Sequence, residues 1–324
     1  MSATATSSET KQKRSFGFRF KKGDEAAHLV TFIFAASVFL VTVLLISELW
    51  RNSGPSLAKF GWKFLFGTNW DPVAEDFGAL PFIYGTLLTS VLALLISVPL
   101  GVGAAIFLAE LAPPALANVC TFLVELLAAV PSVIYGVLAI FTLVPLLRRY
   151  VEPFLRDTLG FLPFFHGPAL GLGFLAAGLT LAVMTFPYII AISRESLLEV
   201  PRDQREAALA LGATRWESTS QVVVPYARLG IIGSIFLALA RALGETMAVT
   251  MVIGNNPNIS ASLFAPGYTI ASVIANEFTE ATGKVYLSAL VELGVVLFLI
   301  TIIVNALARL LVVATSKKGT AHAS

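Results

Sequence analysis

The chain has 324 residues, of which 56% are apolar and 13% are charged, and its mean hydropathy is +0.82. This composition excludes an ordinary soluble domain and indicates an integral membrane protein. A net charge of only +2 gives no indication of a nucleic-acid partner, and the single cysteine, Cys120, excludes a disulfide within the chain.

Six apolar segments predict six membrane crossings, because roughly 20 mostly apolar residues are needed to span the hydrocarbon core. The segments are 26–47, 77–109, 126–147, 158–193, 229–253 and 285–314. The first is expected to be an uncleaved anchor, since its apolar run is longer than the core of a typical signal peptide. The predicted fold class is an all-α integral membrane protein with six transmembrane helices.

The crossings divide the chain into segments of different composition. We predict a disordered basic tail at 1–27, a first transmembrane helix at 28–50, an outer aromatic loop at 51–80, a five-helix core at 81–315 that contains an inner loop at 194–225, and a short tail at 316–324. Fourteen of the 22 Lys and Arg residues lie on the side of the two tails, and seven lie on the other side. Since basic residues favour the cytoplasmic side, both termini of this multi-pass cell-membrane protein are predicted to be cytoplasmic.

Two outer segments are more apolar than ordinary loops. The stretch KFGWKFLFGTNWDP interleaves Trp62, Phe64, Phe66 and Trp70 with polar residues. Such aromatic side chains commonly lie at the membrane interface, so we expect them to anchor the loop to the bilayer, with docking of a partner as the alternative. Segment 254–278 is too polar to span a membrane, and we expect it to fold partly into the bilayer as an outer gate.

The inner loop SRESLLEVPRDQREAALALGATRWESTSQVVVPYAR, residues 193–228, predicts two short helices. Pro201 suits the first position of a helix, and the following residues are strong helix formers. Gly212 is expected to end that helix. A capping box that begins at Thr214 then starts the second helix, and Pro225 is expected to end it.

The spacing within this loop resembles the EAA…G…I-L-P signature of ABC importer permeases. The matching residues are Glu206, Ala207, Ala208, Gly212 and Pro225, with Val222 and Val224 in place of the usual Ile and Leu. The resemblance implies a type I ABC importer permease fold in which this loop is a cytoplasmic coupling helix that docks on an ATP-binding subunit. Arg202, Arg205 and Glu206 are expected to pair at its rim. The alternative is an Ala-rich surface helix that only connects two crossings.

Three further stretches resemble PstC-type permeases of phosphate importers: 64–110, 125–136 and 241–255. This resemblance implies phosphate import by alternating access. The implied partners are a PstA-type permease in a heterodimer, two PstB-type ATPase subunits and a PstS-type phosphate-binding protein. The chain contains no G-x-x-x-x-G-K-[ST] phosphate loop. We therefore expect a non-catalytic subunit without a cofactor of its own, and ATP and Mg to be bound by the partner ATPase.

Ionisable residues inside membrane crossings are costly and usually functional. The candidates are Glu125, Arg241, Glu245 and Glu292, of which Glu125 lies near a predicted helix end and needs only to reach the interface. Arg241 has two expected acidic partners, Glu245 at i+4 on its own helix and Glu292 on the sixth crossing.

Two interpretations of these charges stay open. In the first, Arg241 contacts phosphate while Glu245 and Glu292 act as gate groups. In the second, these charges have a purely structural role, as a buried ion pair that fixes helix packing. Other interpretations of the whole chain are a permease for molybdate or sulfate, or a proton-coupled secondary transporter in which the two acids carry protons.

Overall fold

The computed structural model describes residues 24–320, with side chains within 27–310. The chain divides into two compact units, Met1–Glu48 and Leu49–Ser324. The helices are α1 (Asp24–Asn52), α2 (Gly54–Phe60), α3 (Lys63–Phe66), α4 (Leu80–Ile106), α5 (Pro114–Ala129), α6 (Ser132–Leu138), α7 (Val144–Leu146), α8 (Glu152–Leu159), α9 (Phe174–Leu198), α10 (Arg202–Ala210), α11 (Arg215–Ser218), α12 (Val224–Leu243), α13 (Met247–Val252), α14 (Ile270–Glu277) and α15 (Lys284–Thr320).

Short irregular elements connect several of these helices. Four π-helical turns lie at Phe107–Leu111, Ala139–Leu143, Leu147–Val151 and Thr219–Val223, and a 3₁₀ turn lies at Pro163–Phe165. The β structure of the described residues is one antiparallel hairpin of two-residue strands, β1 (Trp70–Asp71) and β2 (Asp76–Phe77).

Six helical stretches of the described chain are long and apolar enough to cross a membrane, which confirms the predicted fold class. They are Ala27–Asn52, Leu80–Leu111, Ser132–Leu159, Phe174–Leu198, Arg215–Leu243 and Lys284–Leu310. The predicted amino-terminal tail lies outside the described residues except for the start of α1. At the other end, α15 continues to Thr320, five residues beyond the predicted end of the core at 315.

The third and fourth crossings lie further along the chain than the sequence predicts. The apolar helix α5 ends at Ala129, just before Pro131, and a new helix of 28 residues begins at Ser132. The charge-free window that stops before Arg148 covers only the first part of that helix, whose second half carries exposed arginines. The predicted bounds of the third crossing, 126–147, were wrong at both ends, because Pro131 sets the start and the helix continues past Arg148.

Prolines follow the π turns inside the long helices. Pro145, Pro153 and Pro225 each lie two residues after the last residue of a π turn. A proline cannot donate to the carbonyl four residues earlier and its ring crowds that carbonyl, so the wider π turn keeps the helix continuous. Pro225 therefore does not end a helix as predicted, because the helix runs on from Arg215 to Leu243.

Helix α9 is the central helix of the second unit. Two thirds of its apolar window is buried, against a third or less for every other crossing. It packs along α4 and α12, and its approach to α4 depends on Gly178, where an added Cβ would lie 2.4 Å from Leu92 Cδ2. A larger residue there would force two crossings apart.

The aromatic outer loop folds into a compact structure that we call the aromatic cap, residues 53–82 with 268–296. The Trp70 ring lies edge-on to Phe77 and Phe82 at 4.8 and 4.7 Å, contacts that add about 0.5–1.5 kcal/mol each to the burial of their area. The Glu277 carboxylate accepts hydrogen bonds from Trp70 Nε1 at 2.8 Å and from the Tyr286 hydroxyl at 2.7 Å. These bonds tie the hairpin to α14 and to the start of α15.

The structure of the cap corrects the expected membrane anchoring for two of the four aromatic residues of the outer loop. Phe64 and Trp70 are buried inside it and do not reach a membrane interface, whereas Trp62 and Phe66 are 82% and 75% exposed. The sequence alternation alone did not distinguish the two pairs, since all four aromatics sit among polar residues.

Segment 254–278 packs into the helical core. Phe264 and Tyr268 are buried, and the Leu175 N–H donates to the Leu263 carbonyl at 2.8 Å. At Gly85 on α4, an added Cβ would lie 2.0 Å from the Tyr268 carbonyl oxygen, so only glycine allows this approach. The second half of the segment is packed against the helical core, and its insertion into the bilayer as a gate stays a prediction.

Candidate functional site

The inner loop forms the predicted first short helix, α10, and the second helix begins with α11 as predicted but continues into the fifth crossing. Gly212, between α10 and α11, has a φ of +90° with no atom near its missing Cβ, so glycine is needed for the backbone conformation and not for space. Thr214 and Glu217 form the expected capping box, with the Thr214 N–H donating to Glu217 Oε2 at 2.7 Å and the Glu217 N–H donating to Thr214 Oγ1 at 3.2 Å.

An open groove of about 570 Å³ lies between these two helices. Ala207 and Ala208 form part of one wall, and Leu211 at its end is 90% exposed. Glu206 is also exposed. A shallow groove with small apolar walls and an exposed Leu at the end suits the insertion of a side chain from another protein.

Arg205 does not lie at the rim as predicted, because it points away from the groove. Its Nη2 lies 2.8 Å from Glu110 Oε1 in an ion pair. Nη1 and Nη2 each donate to a main-chain carbonyl at 2.6 Å, those of Val200 and Leu197. All three nitrogens of the guanidinium thus have partners inside the chain. Glu110, 95 residues away, was missed in the sequence, where it is only an acid at the end of an apolar segment.

A second group of polar side chains surrounds a break in the fifth crossing. Helix α12 ends at Leu243 and α13 begins at Met247. Arg241 lies in the last turn of α12, with its Cζ 4.7 Å from the centre of the Tyr188 ring. Its buried Nε has no hydrogen-bond partner, and none of the described carboxylates forms an ion pair with it.

Glu245 does not pair with Arg241, which corrects the expected i+4 contact. Because the helix breaks at Gly244, the helical period does not carry from residue 241 to residue 245. The Glu245 carboxylate instead accepts from the Ala248 N–H at 3.2 Å. An anion at the start of α13 is favourable because the first N–H groups of a helix lack partners.

Glu292 also forms no ion pair with Arg241. It is 4% exposed on α15, among residues that pack into the aromatic cap. Its Oε2 has no hydrogen-bond partner, and the hydroxyl of Ser56, a nearby residue of α2, is likewise buried. Glu125 lies on α5 with its side chain at the surface of this chain. The four candidate charges therefore do not converge.

Two tyrosines close the break between α5 and α6, beside Arg241. The Tyr135 hydroxyl donates to the Leu127 carbonyl at 2.7 Å, and the Tyr188 hydroxyl donates to the Ala128 carbonyl at 2.8 Å. These carbonyls lie at the end of α5, where Pro131 prevents the helix from continuing. Tyr188 is thus held by its hydroxyl while its ring faces the guanidinium. No sequence signal marked Tyr188, since it lies in an unbroken apolar run.

Comparisons with known proteins identify the family and the fold of the chain. The family model described as "Binding-protein-dependent transport system inner membrane component" matches residues 97–317. In a solved structure of a bacterial alginate ABC transporter, one chain aligns with a TM-score of 0.57 at 14% identity, over 88% of this chain and 93% of that one. At that identity the likeness concerns the fold, which is the type I ABC importer permease fold.

Curated relatives are much closer in sequence. A phosphate transport system permease protein PstC of Mesorhizobium japonicum is 48% identical over 90% of each chain. That of Haemophilus influenzae is 47% identical over 87% of this chain and 90% of the relative, and a probable one of Methanocaldococcus jannaschii is 40% identical over 83% and 87%. The chain belongs to the binding-protein-dependent transport system inner membrane component family, as a non-catalytic, multi-pass inner-membrane permease of an ABC importer.

Proposed function

We propose that this chain is the transmembrane pore subunit of an ATP-driven importer of inorganic phosphate that works by alternating access. The observation that carries the proposal is the close likeness to PstC permeases, at up to 48% identity over nine tenths of both chains. The coupling groove between α10 and α11 is the structural feature that fits it best.

The groove supports the coupling role. Exposed Glu206, small Ala207 and Ala208, and the turn at Gly212 present a preformed surface to a separate ATPase subunit. That partner binds ATP and Mg, whereas Pro225 directs the chain from the groove into the fifth crossing without a break in the helix. Closure of the ATPase dimer moves α10, and the pore changes from inward to outward access.

Arg241 is the group we assign to contact with phosphate. The acids that could neutralise it are elsewhere, since Glu245 caps α13 and Glu292 packs with the aromatic cap. A guanidinium with an unused buried N–H is suited to a phosphate oxygen. Glu245 fixes the helix break next to this contact, and Glu292 is the buried acid available for a gate.

The assembly follows from the same family relationship. The chain pairs with a PstA-type permease, and the pair binds two PstB-type ATPase subunits and a PstS-type phosphate-binding protein. A broad exposed apolar face on α5 and α6, including Phe122, Leu126 and Leu138, is available to the second permease. Both termini lie in the cytoplasm, in agreement with the distribution of basic residues.

Reconstitution of the four-component complex tests the proposal directly. Proteoliposomes that contain the complex should accumulate radiolabelled phosphate only when ATP and the binding protein are both present. A complex with a hydrolysis-deficient ATPase is the control. Excess sulfate or molybdate should not compete with phosphate. Competition by either oxyanion, or uptake driven by a proton gradient without ATP, would contradict the assignment.

A further inference from the structure

Helix α10 packs against α11 and against the π turn Thr219–Val223 at the start of the fifth crossing. None of its nine residues is buried. Within the described residues, Arg205 is the only α10 side chain that forms a hydrogen bond, and its partners lie at or beside the ends of the second and fourth crossings. The side-chain bonds between α10 and those two crossings therefore come from one residue.

That side chain connects three elements. Its Nη2 donates to Glu110 Oε1 at 2.8 Å and its Nε donates to Glu110 Oε2 at 3.3 Å. This is a bidentate contact with the π turn Phe107–Leu111. The carbonyls of Leu197 and Val200, at and just after the end of α9, take two more donors. The last carbonyls of a helix lack partners and favour a cation, so the arginine satisfies α9 while it holds α10.

An apolar cluster lies next to this contact and joins the ends of the crossings. It consists of Ala105, Leu197, Val200, Val223, Ala227 and Ile231. These residues come from the ends of α4 and α9 and from the start of the fifth crossing. Since close-packed clusters transmit displacement, a pull on the Glu110 turn or on the end of α9 moves the ends of three crossings together.

We infer that Arg205 and Glu110 are a positioning pair through which α10 moves the second and fourth crossings during transport. The inference rests on the proposed docking of α10 on an ATPase. It gives sequence neighbours different roles: Glu206 is exposed and available to the partner, while Arg205 is bonded to the ends of the membrane helices. Arg205 is then not a contact for the ATPase.

Uptake measured per ATP tests this division. In the reconstituted complex, Arg205→Ala and Glu110→Gln should retain the ATPase on copurification and keep ATP hydrolysis within about twofold of the wild type. Phosphate taken up per ATP should fall about tenfold, the order of an ordinary coupling free energy. Arg205→Lys should be intermediate, because one ammonium cannot reach the carboxylate and both carbonyls. Arg309→Ala, at an exposed arginine on α15 outside the docking loop, is the control and should behave as wild type.

Spin labels separate this inference from the substrate assignment. With Cys120→Ser as background, labels at Leu111→Cys and Leu211→Cys report the distance between the π turn and the end of α10. With Arg205 and Glu110 intact, the distance between the labels should be the same without nucleotide and with trapped ATP. Arg205→Ala should broaden or shift the distribution of that distance. A distance that changes equally in both, or uptake that falls only in proportion to lost complex, overturns the inference. A wild-type complex that moves no phosphate would overturn only the proposed function, since the label distances would still show whether Arg205 and Glu110 hold α10 to the π turn.

Discussion

Arg205 and Arg241 are both partly buried arginines, but their surroundings are opposite. Arg205 donates to a carboxylate and to two main-chain carbonyls, so its hydrogen-bonding capacity is used within the chain. Arg241 contacts an aromatic ring and no carboxylate of the described residues, and its Nε is unpartnered. An arginine whose nitrogens are all bonded within the chain fixes structure, whereas one with an unpartnered buried nitrogen in a membrane protein is available to a passing anion.

Loss of Arg241 should produce the largest effect on transport. Arg241→Gln removes the charge from the proposed phosphate contact, so uptake should fall at least about 100-fold, corresponding to roughly 3 kcal/mol for a desolvated charge contact. The complex should assemble normally, because no ion pair is lost. Radiolabelled phosphate uptake and copurification measure the two quantities. Arg309→Gln, at an exposed arginine on α15, is the control. Normal uptake by the Arg241 variant would contradict the assignment of Arg241, and not Arg205, to the phosphate contact.

The double change Arg241→Leu with Glu245→Leu should not recover transport. Recovery is expected of a purely structural ion pair, which two apolar residues can replace, but Glu245 is bound to the start of α13 and not to Arg241. Uptake by the double variant should stay as low as that of Arg241→Leu alone. If it approached the wild-type rate, the arginine would be a packing element like Arg205.

Two variants of Tyr188 separate the contribution of its ring from that of its hydroxyl. Tyr188→Leu removes the ring from Arg241 and should lower uptake about fivefold, within the range of cation–π contacts. Tyr188→Phe keeps the ring, so uptake should change less than about twofold, but the Ala128 carbonyl loses its donor and stability falls by about 1 kcal/mol. Uptake assays and thermal melting of the solubilised complex separate the two. Equal uptake by both variants would mean that the ring does not position the guanidinium.

Glu245→Gln should have the smallest effect. The amide still accepts a hydrogen bond from the start of α13, and only the interaction of a charge with the helix end is lost, about 0.5 kcal/mol. Uptake should stay within about twofold of the wild type. A large loss of uptake in a complex of normal thermal stability would instead assign a gate role to the negative charge.

Local signals in the sequence predicted much of this structure. The turn at Gly212, the capping box at Thr214 and the presence of six apolar spans depend on neighbouring residues, and the structure confirms each. The bounds of the third crossing were misplaced because Pro131 precedes its start and because the helix continues past Arg148 to Leu159. A proline marks a helix boundary as locally in the sequence as a charge does, but a search for charge-free windows takes no account of prolines.

Partners distant in sequence could not be predicted in this way. Arg205 and Glu110 are 95 residues apart, and their contact depends on the packing of α9 against α4. The Arg241–Glu245 expectation failed for a related reason. A helical period predicts which side chains share a face only while the helix is continuous, and Gly244 ends it.

The hairpin of the aromatic cap also has a practical consequence. Val73 at its tip is 95% exposed, and the Asp71 carboxylate accepts from the N–H groups of Val73 and Ala74 at 2.8 and 3.1 Å, which closes the turn locally. Both strands are fixed by ring contacts that an insertion at the tip does not touch. An epitope inserted there should leave the fold intact, and antibody access to it in cells with an unbroken inner membrane would report directly which way the whole chain is threaded.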